Sequence, residues 1–209
     1  MHVNLPFRPF RSFLPVLCVV LFLCIAHPSD AQSPATKVTV HLDPQKTEIH
    51  WTLHSTLHTV NGTFRLKGGV MTFDPATGAA QGEFLVDVKT GESDDKTRDE
   101  KMQSEVLESE KYPEAFFHPL KISGTVKQDA GTQNVTVSGT FNIHGADQPL
   151  TLPLAVQIHG SDATATTHFV IPYVAWGMKD ESRLMLRVDK EVNVEVVAHG
   201  SVEGISQGR

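Results

Sequence analysis

The chain has 209 residues with 24 acidic against 18 basic side chains, a formal net charge of −6. That balance argues against a nucleic-acid partner, which wants a basic face, and the length suits one domain with a sizeable core of its own. The only cysteines, Cys18 and Cys24, lie near the start, so the rest of the chain has no disulfide framework, thiol nucleophile, zinc-thiolate site or iron-sulfur cluster open to it.

The first 31 residues read as an address label. Arg8 and Arg11 give a basic region, residues 13–26 an apolar run, and Ser29 with Ala31 the small residues of a cleavage site. The run is shorter than the roughly 20 apolar residues of a spanning helix. A lipid anchor on Cys24 is disfavoured by the bulky Leu23 before it. Cleavage after Ala31 is expected, leaving residues 32–209 as a single domain with a short flexible C-terminal tail, in the periplasm or secreted.

Strand signals follow in order. Residues 38–42 end at Asp43-Pro44, and in residues 47–53 Thr47, Ile49, Trp51 and Leu53 share one face while Glu48, His50 and Thr52 share the other. Residues 63–66 and 70–73 flank Lys67-Gly68-Gly69, which predicts a tight hairpin. In residues 83–88, Phe84, Val86 and Val88 alternate with Glu83, Leu85 and Asp87. Residues 97–108 predict one short amphipathic helix, with a Thr97/Glu100 capping box and an apolar stripe of Met102, Val106 and Leu107 that ends before Tyr112-Pro113. Such a helix fits against a sheet or as the lid of a barrel.

Strands resume at residues 115–126. In residues 134–158, Val135, Val137, Phe141 and Ile143 fall on odd positions, and Leu150, Leu152, Leu154, Val156 and Ile158 on even ones, a hairpin with one apolar face. Residues 164–171, with Phe169 and Ile171 on one face, and residues 192–198 complete the set. About eight or more short strands at close spacing predict an all-β sandwich or barrel. Pro153 sits awkwardly within the second hairpin strand. It cannot donate to a ladder, so the barrel is expected to be gapped there or Pro153 to lie near a strand end.

The candidate inner face comprises Trp51, Leu53, Phe84, Val86, Phe141, Ile143, Leu152, Leu154, Phe169 and Ile171. The same alternation fits a solid core, whether in a packed barrel or a sandwich, and a barrel that holds one small ligand. Tyr173 and Trp176, beyond a strand, suit either a cavity mouth or a plug. His50, His54 and His58 are evenly spaced and raise a metal site as an alternative. A strand would put His50 and His54 on its outer face with His58 beyond it. A hydrolase lacks the Gly-x-Ser-x-Gly elbow, and Asp94, Asp95, Asp99 and Glu100 read as a solvated capping cluster.

The ordered set of motifs resembles the YceI-like family. It comprises His54-Ser55, Val60-Asn61-Gly62-Thr63-Phe64, Arg98-Asp99 with Met102 and Leu107, and Lys111-Tyr112-Pro113 leading to Phe116-Phe117. The run from Val137 to Gly145 with Gln148-Pro149 belongs to it too, so that the resemblance spans residues 38–202. It implies an antiparallel, up-and-down, lipocalin-like β-barrel of about eight strands whose long apolar cavity holds a polyisoprenoid chain such as a quinone tail. It also implies an exported carrier or store that is not an enzyme. No metal and no cofactor is implied beyond a non-covalently bound isoprenoid lipid or quinone. The implied partner is that apolar lipid, and transient contact with a membrane surface is expected from Tyr173 and Trp176, aromatics with a polar edge. One segment departs from the family pattern: where many members carry Asn-Arg-x-Asp-aromatic-Gly, this chain reads Pro172-Tyr173-Val174-Ala175-Trp176-Gly177, without the arginine and the aspartate.

Overall fold

Period-two alternation survives along most of the chain because a sheet with one apolar face must cover it, and here the sheet covers itself. The computed structural model describes residue 2, residues 37–183 and residues 186–205. The expected leader, with Arg8, Arg11, Cys18, Cys24 and the cleavage site at Ala31, lies outside the described residues, as do residues 206–209 of the expected tail. The strands are β1 Val38–Leu42, β2 Glu48–His54, β3 Thr59–Phe73, β4 Ala80–Glu92, β5 Glu114–Ser123, β6 Gln133–Ile143, β7 Ala146–His159, β8 Asp162–Ile171 and β9 Val192–Glu203.

Every neighbouring pair is antiparallel, and the sheet closes through β3–β4 and through β9 against β1 and β2. β1 and β2 share one position in the wall. β1 runs between residues 70–73 of β3 and 200–203 of β9, while β2 runs between 59–64 and 193–197 of the same strands. Nine strands therefore make the eight staves of an up-and-down barrel. The break between β1 and β2 is the Asp43-Pro44 turn, where the Asp43 carboxylate accepts the Gln45 N–H at 2.9 Å and the Thr47 N–H donates to the Asp43 carbonyl at 3.0 Å. Closure removes the edges that a sandwich keeps, except along a stretch of β7 and β8 that is not paired.

The tight hairpin expected at Lys67-Gly68-Gly69 is not formed: β3 runs unbroken from Thr59 to Phe73. The glycines mark a bulge instead, since the register of β3 against β4 slips between Leu66 and Gly68. Gly69 lies against the Phe84 ring, where a Cβ would come within 2.4 Å of Cδ1. A glycine pair serves a bend and a close approach as well as a turn, and the partner strand decides which.

The helix is also shorter and differently capped than expected. α1 spans Lys96–Lys101 and continues into one π-helical turn at Met102–Val106. Its N-cap is Asp95, not Thr97: the Asp95 carboxylate accepts the Arg98 N–H at 3.0 Å, a bond that holds its pKa below the usual value. An acidic cap suits the positive end of the helix and leaves Thr97 inside the first turn. The stripe performs as expected, with Leu107 buried and Met102 and Val106 half-buried against the barrel core.

The β6–β7 hairpin turns on His144-Gly145, with φ of 54° and 73° respectively, a two-residue turn matched to strand twist. β7 pairs with β6 from Ala146 to Val156 but with β8 only from Ala155 to His159. Pro153 is exposed and lies beyond the end of the β7–β8 ladder, in the gapped stretch that the sequence anticipates, so no bond on that side is lost to it.

Candidate functional site

Inward side chains leave two adjoining chambers inside the barrel. The larger has a volume of about 370 Å³ and the smaller about 200 Å³. Ile49, Val86, Phe141, Phe169 and Val196 border both and form the neck between them. β9 shows how one strand builds this: Val192 and Val194 border the larger chamber, Val196 the neck, and Ala198 and Val202 the smaller. These residues lie at even positions, as the pleat requires. Their combined volume falls within the range of ligand pockets, and their walls are nearly all hydrocarbon.

The candidate residues divide between the chambers. Trp51, Leu53, Ile143, Ile171 and Tyr173 border the larger, while Phe84, Leu152 and Leu154 border the smaller. Val86, Phe141 and Phe169 stand at the neck. Trp176 borders neither. It is half-buried and packs on the Phe141 ring, with centroids 6.1 Å apart. Tyr173 and Met178 are buried, held by a short turn in which the Met178 N–H donates to the Tyr173 carbonyl at 3.0 Å.

Burial, and then the negative charges of Asp180 and Asp189, push the Tyr173 phenol up to about 12 from 10.0. A group whose pKa rises on folding contributes stability that is complete below its unfolded pKa and is lost as pH climbs through the folded one. Alkaline titration followed by tyrosinate absorbance should therefore show one of the two tyrosines resisting ionisation until about pH 12 or until the barrel unfolds.

Sequence reasoning misses the polar rim of the larger chamber, which is bordered by Ser55, His58, Arg98, Lys101, Glu181 and Arg183. Lys101 and Glu181 form an ion pair, and Lys179 stands 3.0 Å from the other oxygen of Glu181. Arg98 and Lys101 are three apart on α1, a spacing that puts both on one face and was visible in the sequence. Nothing local marks Glu181 and Arg183, which reach the rim from an irregular segment.

The three evenly spaced histidines are not brought together. His50 lies 3.2 Å from a Glu48 oxygen, the Nδ1 of His54 is 2.9 Å from the Thr59 hydroxyl, and His58 sits at the rim. Among the described residues no three metal-ligating side chains converge.

Comparison with solved structures places the barrel among known relatives in fold. It matches BcnA of Burkholderia cenocepacia with a TM-score of 0.62 at 21% identity, covering 76% of this chain and 98% of that one. It also matches a polyisoprenoid binding domain from Saccharophagus degradans, implicated in plant cell wall breakdown, with a TM-score of 0.58 at 14% identity, covering 78% and 98%. No curated protein matches the chain. The sequence profile of the YceI-like domain matches residues 41–199, from β1 to β9 and so around the whole barrel: the chain belongs to the YceI-like family.

Proposed function

We propose that this protein is an exported, non-enzymatic carrier or store for a polyisoprenoid or similar apolar chain, for example a quinone tail. The observation that carries this reading is the pair of apolar chambers joined at a neck of five side chains. A solid core would leave no such space. An engineered cavity of roughly 150 Å³ takes a six-carbon ring. On that scale the larger chamber takes about 15 carbons and the smaller about eight. Burial at about 0.8 kcal/mol per carbon group makes such a chain a tight ligand through a force that needs no directional contact. The polyisoprenoid binding domain that shares the fold supports the same class of occupant.

The test is to purify the protein, extract it with organic solvent and examine the extract by mass spectrometry. A co-purifying prenyl lipid or quinone is the expected result. A lipid-free protein that also fails to take up added quinone or prenyl alcohol overturns the reading in favour of a structural module.

Export rests on the leader, with cleavage after Ala31 and residues 32–209 as the mature domain ending in a short flexible tail. N-terminal sequencing of the exported protein should begin at Gln32. Transient membrane contact is supported by Leu57, 73% exposed in the β2–β3 connection between the rim residues Ser55 and His58. Leu57→Asp should slow ligand transfer to lipid vesicles several-fold while leaving affinity in solution unchanged, because an apolar foot beside the mouth acts only where a bilayer is present.

A further inference from the structure

We infer that α1 and its π-helical turn form a lid on the larger chamber, tied to β4 along one side and latched along the other by four alternating charges, and that opening of the latch sets how fast an occupant enters and leaves. This rests on the carrier reading and adds a control to it.

The first observation is that one side of the larger chamber is not sheet. The ladder between β4 and β5 ends at Asp87, although β4 continues to Glu92. Beyond that point the chamber is bordered by Val88 and then by Arg98, Lys101, Met102 and Val106 of α1 and the turn. A strand in this wall cannot swing outward without breaking its ladder, whereas a helix carries its backbone bonds within itself. The π-helical turn closes on the Leu107 N–H, which donates to the Met102 carbonyl at 2.9 Å. Turns of this kind are rare and concentrate at functional sites.

The second is that the two sides of this helical segment are held differently. On the β4 side, the Gln103 amide donates to the carbonyls of Val88 and Gly91, at 3.0 Å each, and the Asp99 carboxylate accepts the Ser93 N–H at 2.9 Å. On the other side stand residues 178–183. Among the described residues, its hydrogen bonds to them are ionic, Lys101 to Glu181 and Lys179 to Glu105. Each side therefore supplies one cation and one acid. Lys179 also lies 3.0 Å from the second Glu181 oxygen, so the four charges form one alternating chain. The Lys179 ammonium holds the Glu105 carboxyl below its ordinary value.

The third is that residues 178–183 make a fixed frame. The Ser182 hydroxyl donates to the Val188 carbonyl at 3.2 Å and accepts the Val188 N–H at 3.1 Å, and Met178 is buried. Movement at the latch therefore falls to the lid. The Glu181 side chain is 17% exposed, but the other three are about a third to a half exposed, and pairs so open to solvent are weak and screened by salt. A latch of that strength opens often, and the apolar packing of Met102, Val106 and Leu107 on the core reseats it.

Lys179 and Glu105 are the residues to change, since neither borders the chamber and both are exposed, so that the fold tolerates substitution. A gate that does not touch its occupant alters uptake and release alike and leaves Kd where it was. With a farnesyl-tailed quinone as the probe, stopped-flow tryptophan quenching gives uptake by lipid-stripped protein, and transfer to vesicles gives release. Lys179→Gln should raise both rates about fivefold. Lys179→Glu, which sets like charges side by side, should raise them further, and Glu105→Lys added to it should bring both most of the way back. Salt should speed exchange in the parent more than in Lys179→Gln. Rates unmoved in both Lys179 variants, a double variant as fast as Lys179→Glu alone, or faster release with weakened Kd and unchanged uptake, overturns the lid while the carrier reading stands. If neither the quinone nor a prenyl alcohol binds the parent protein, the carrier reading falls and the lid with it.

Discussion

Val196→Trp is expected to abolish tight binding of long chains while short ones still bind. Val196 lies opposite Ile49 on β2 and Thr167 on β8, and is one of the five side chains that border both chambers. An indole there fills the neck and confines any ligand to the space of about 370 Å³ on one side. A chain that spans both chambers loses its burial in the smaller one, about eight carbons on the benzene scale. At about 0.8 kcal/mol each this comes to about 6.4 kcal/mol as an upper bound, so a loss of at least a hundredfold is expected. Overpacking costs stability of about 1–3 kcal/mol, so the variant should still fold, which circular dichroism would check. Titration with chains of increasing length gives the answer. Affinity that keeps rising with length in the variant would mean the chambers do not act as one tunnel.

Gly62→Ala should destabilise the barrel by about 3 kcal/mol, a loss of roughly 10 °C in Tm for a domain this size. Trp51 pairs with Gly62 across β2 and β3, and its ring lies over the missing side chain. A Cβ at Gly62 would come within 2.3 Å of the Glu92 carbonyl oxygen and 2.3 Å of the Trp51 ring. The carbonyl belongs to the backbone and cannot step aside, so either β4 or the indole must move. Gly68→Ala is the control: a Cβ there meets nothing within 4 Å, and a small stabilisation is expected from restricting the unfolded chain. Thermal melts of the two variants, with tryptophan fluorescence to report the indole, separate local crowding from a general intolerance of β3 to side chains.

The legible parts of this protein are those whose cause is local. Ile49 and Trp51, or Val135 and Val137, alternate because one side of each strand is buried along its whole length. Pro153 likewise announced its own unpaired side. What was misread depends on partners far away in sequence. Gly68-Gly69 looks the same in a hairpin as in a bulge until Phe84 of β4 is laid beside it. Thr97 and Asp95 both resemble caps, and only the backbone at Asp95 decides between them. The rim was least legible, because Arg98 and Glu181 become neighbours of one cavity only after the barrel has closed. Trp176 packs on the Phe141 ring, a contact between distant parts of the chain that its aromatic character alone does not reveal.

The short ladder between β7 and β8 has a mechanical consequence. A cylinder hydrogen-bonded around its full circumference has a fixed girth, since widening it anywhere breaks bonds. Here residues 146–154 of β7 carry ladder bonds only to β6, and residues 167–171 of β8 only to β9. Along that seam Leu150, Leu152 and Leu154 of β7 pack against the core, and side-chain packing yields without the loss of a backbone bond. The barrel is thus a split ring that can spread at one place, and its bore is set by what lies inside as much as by the number of its staves.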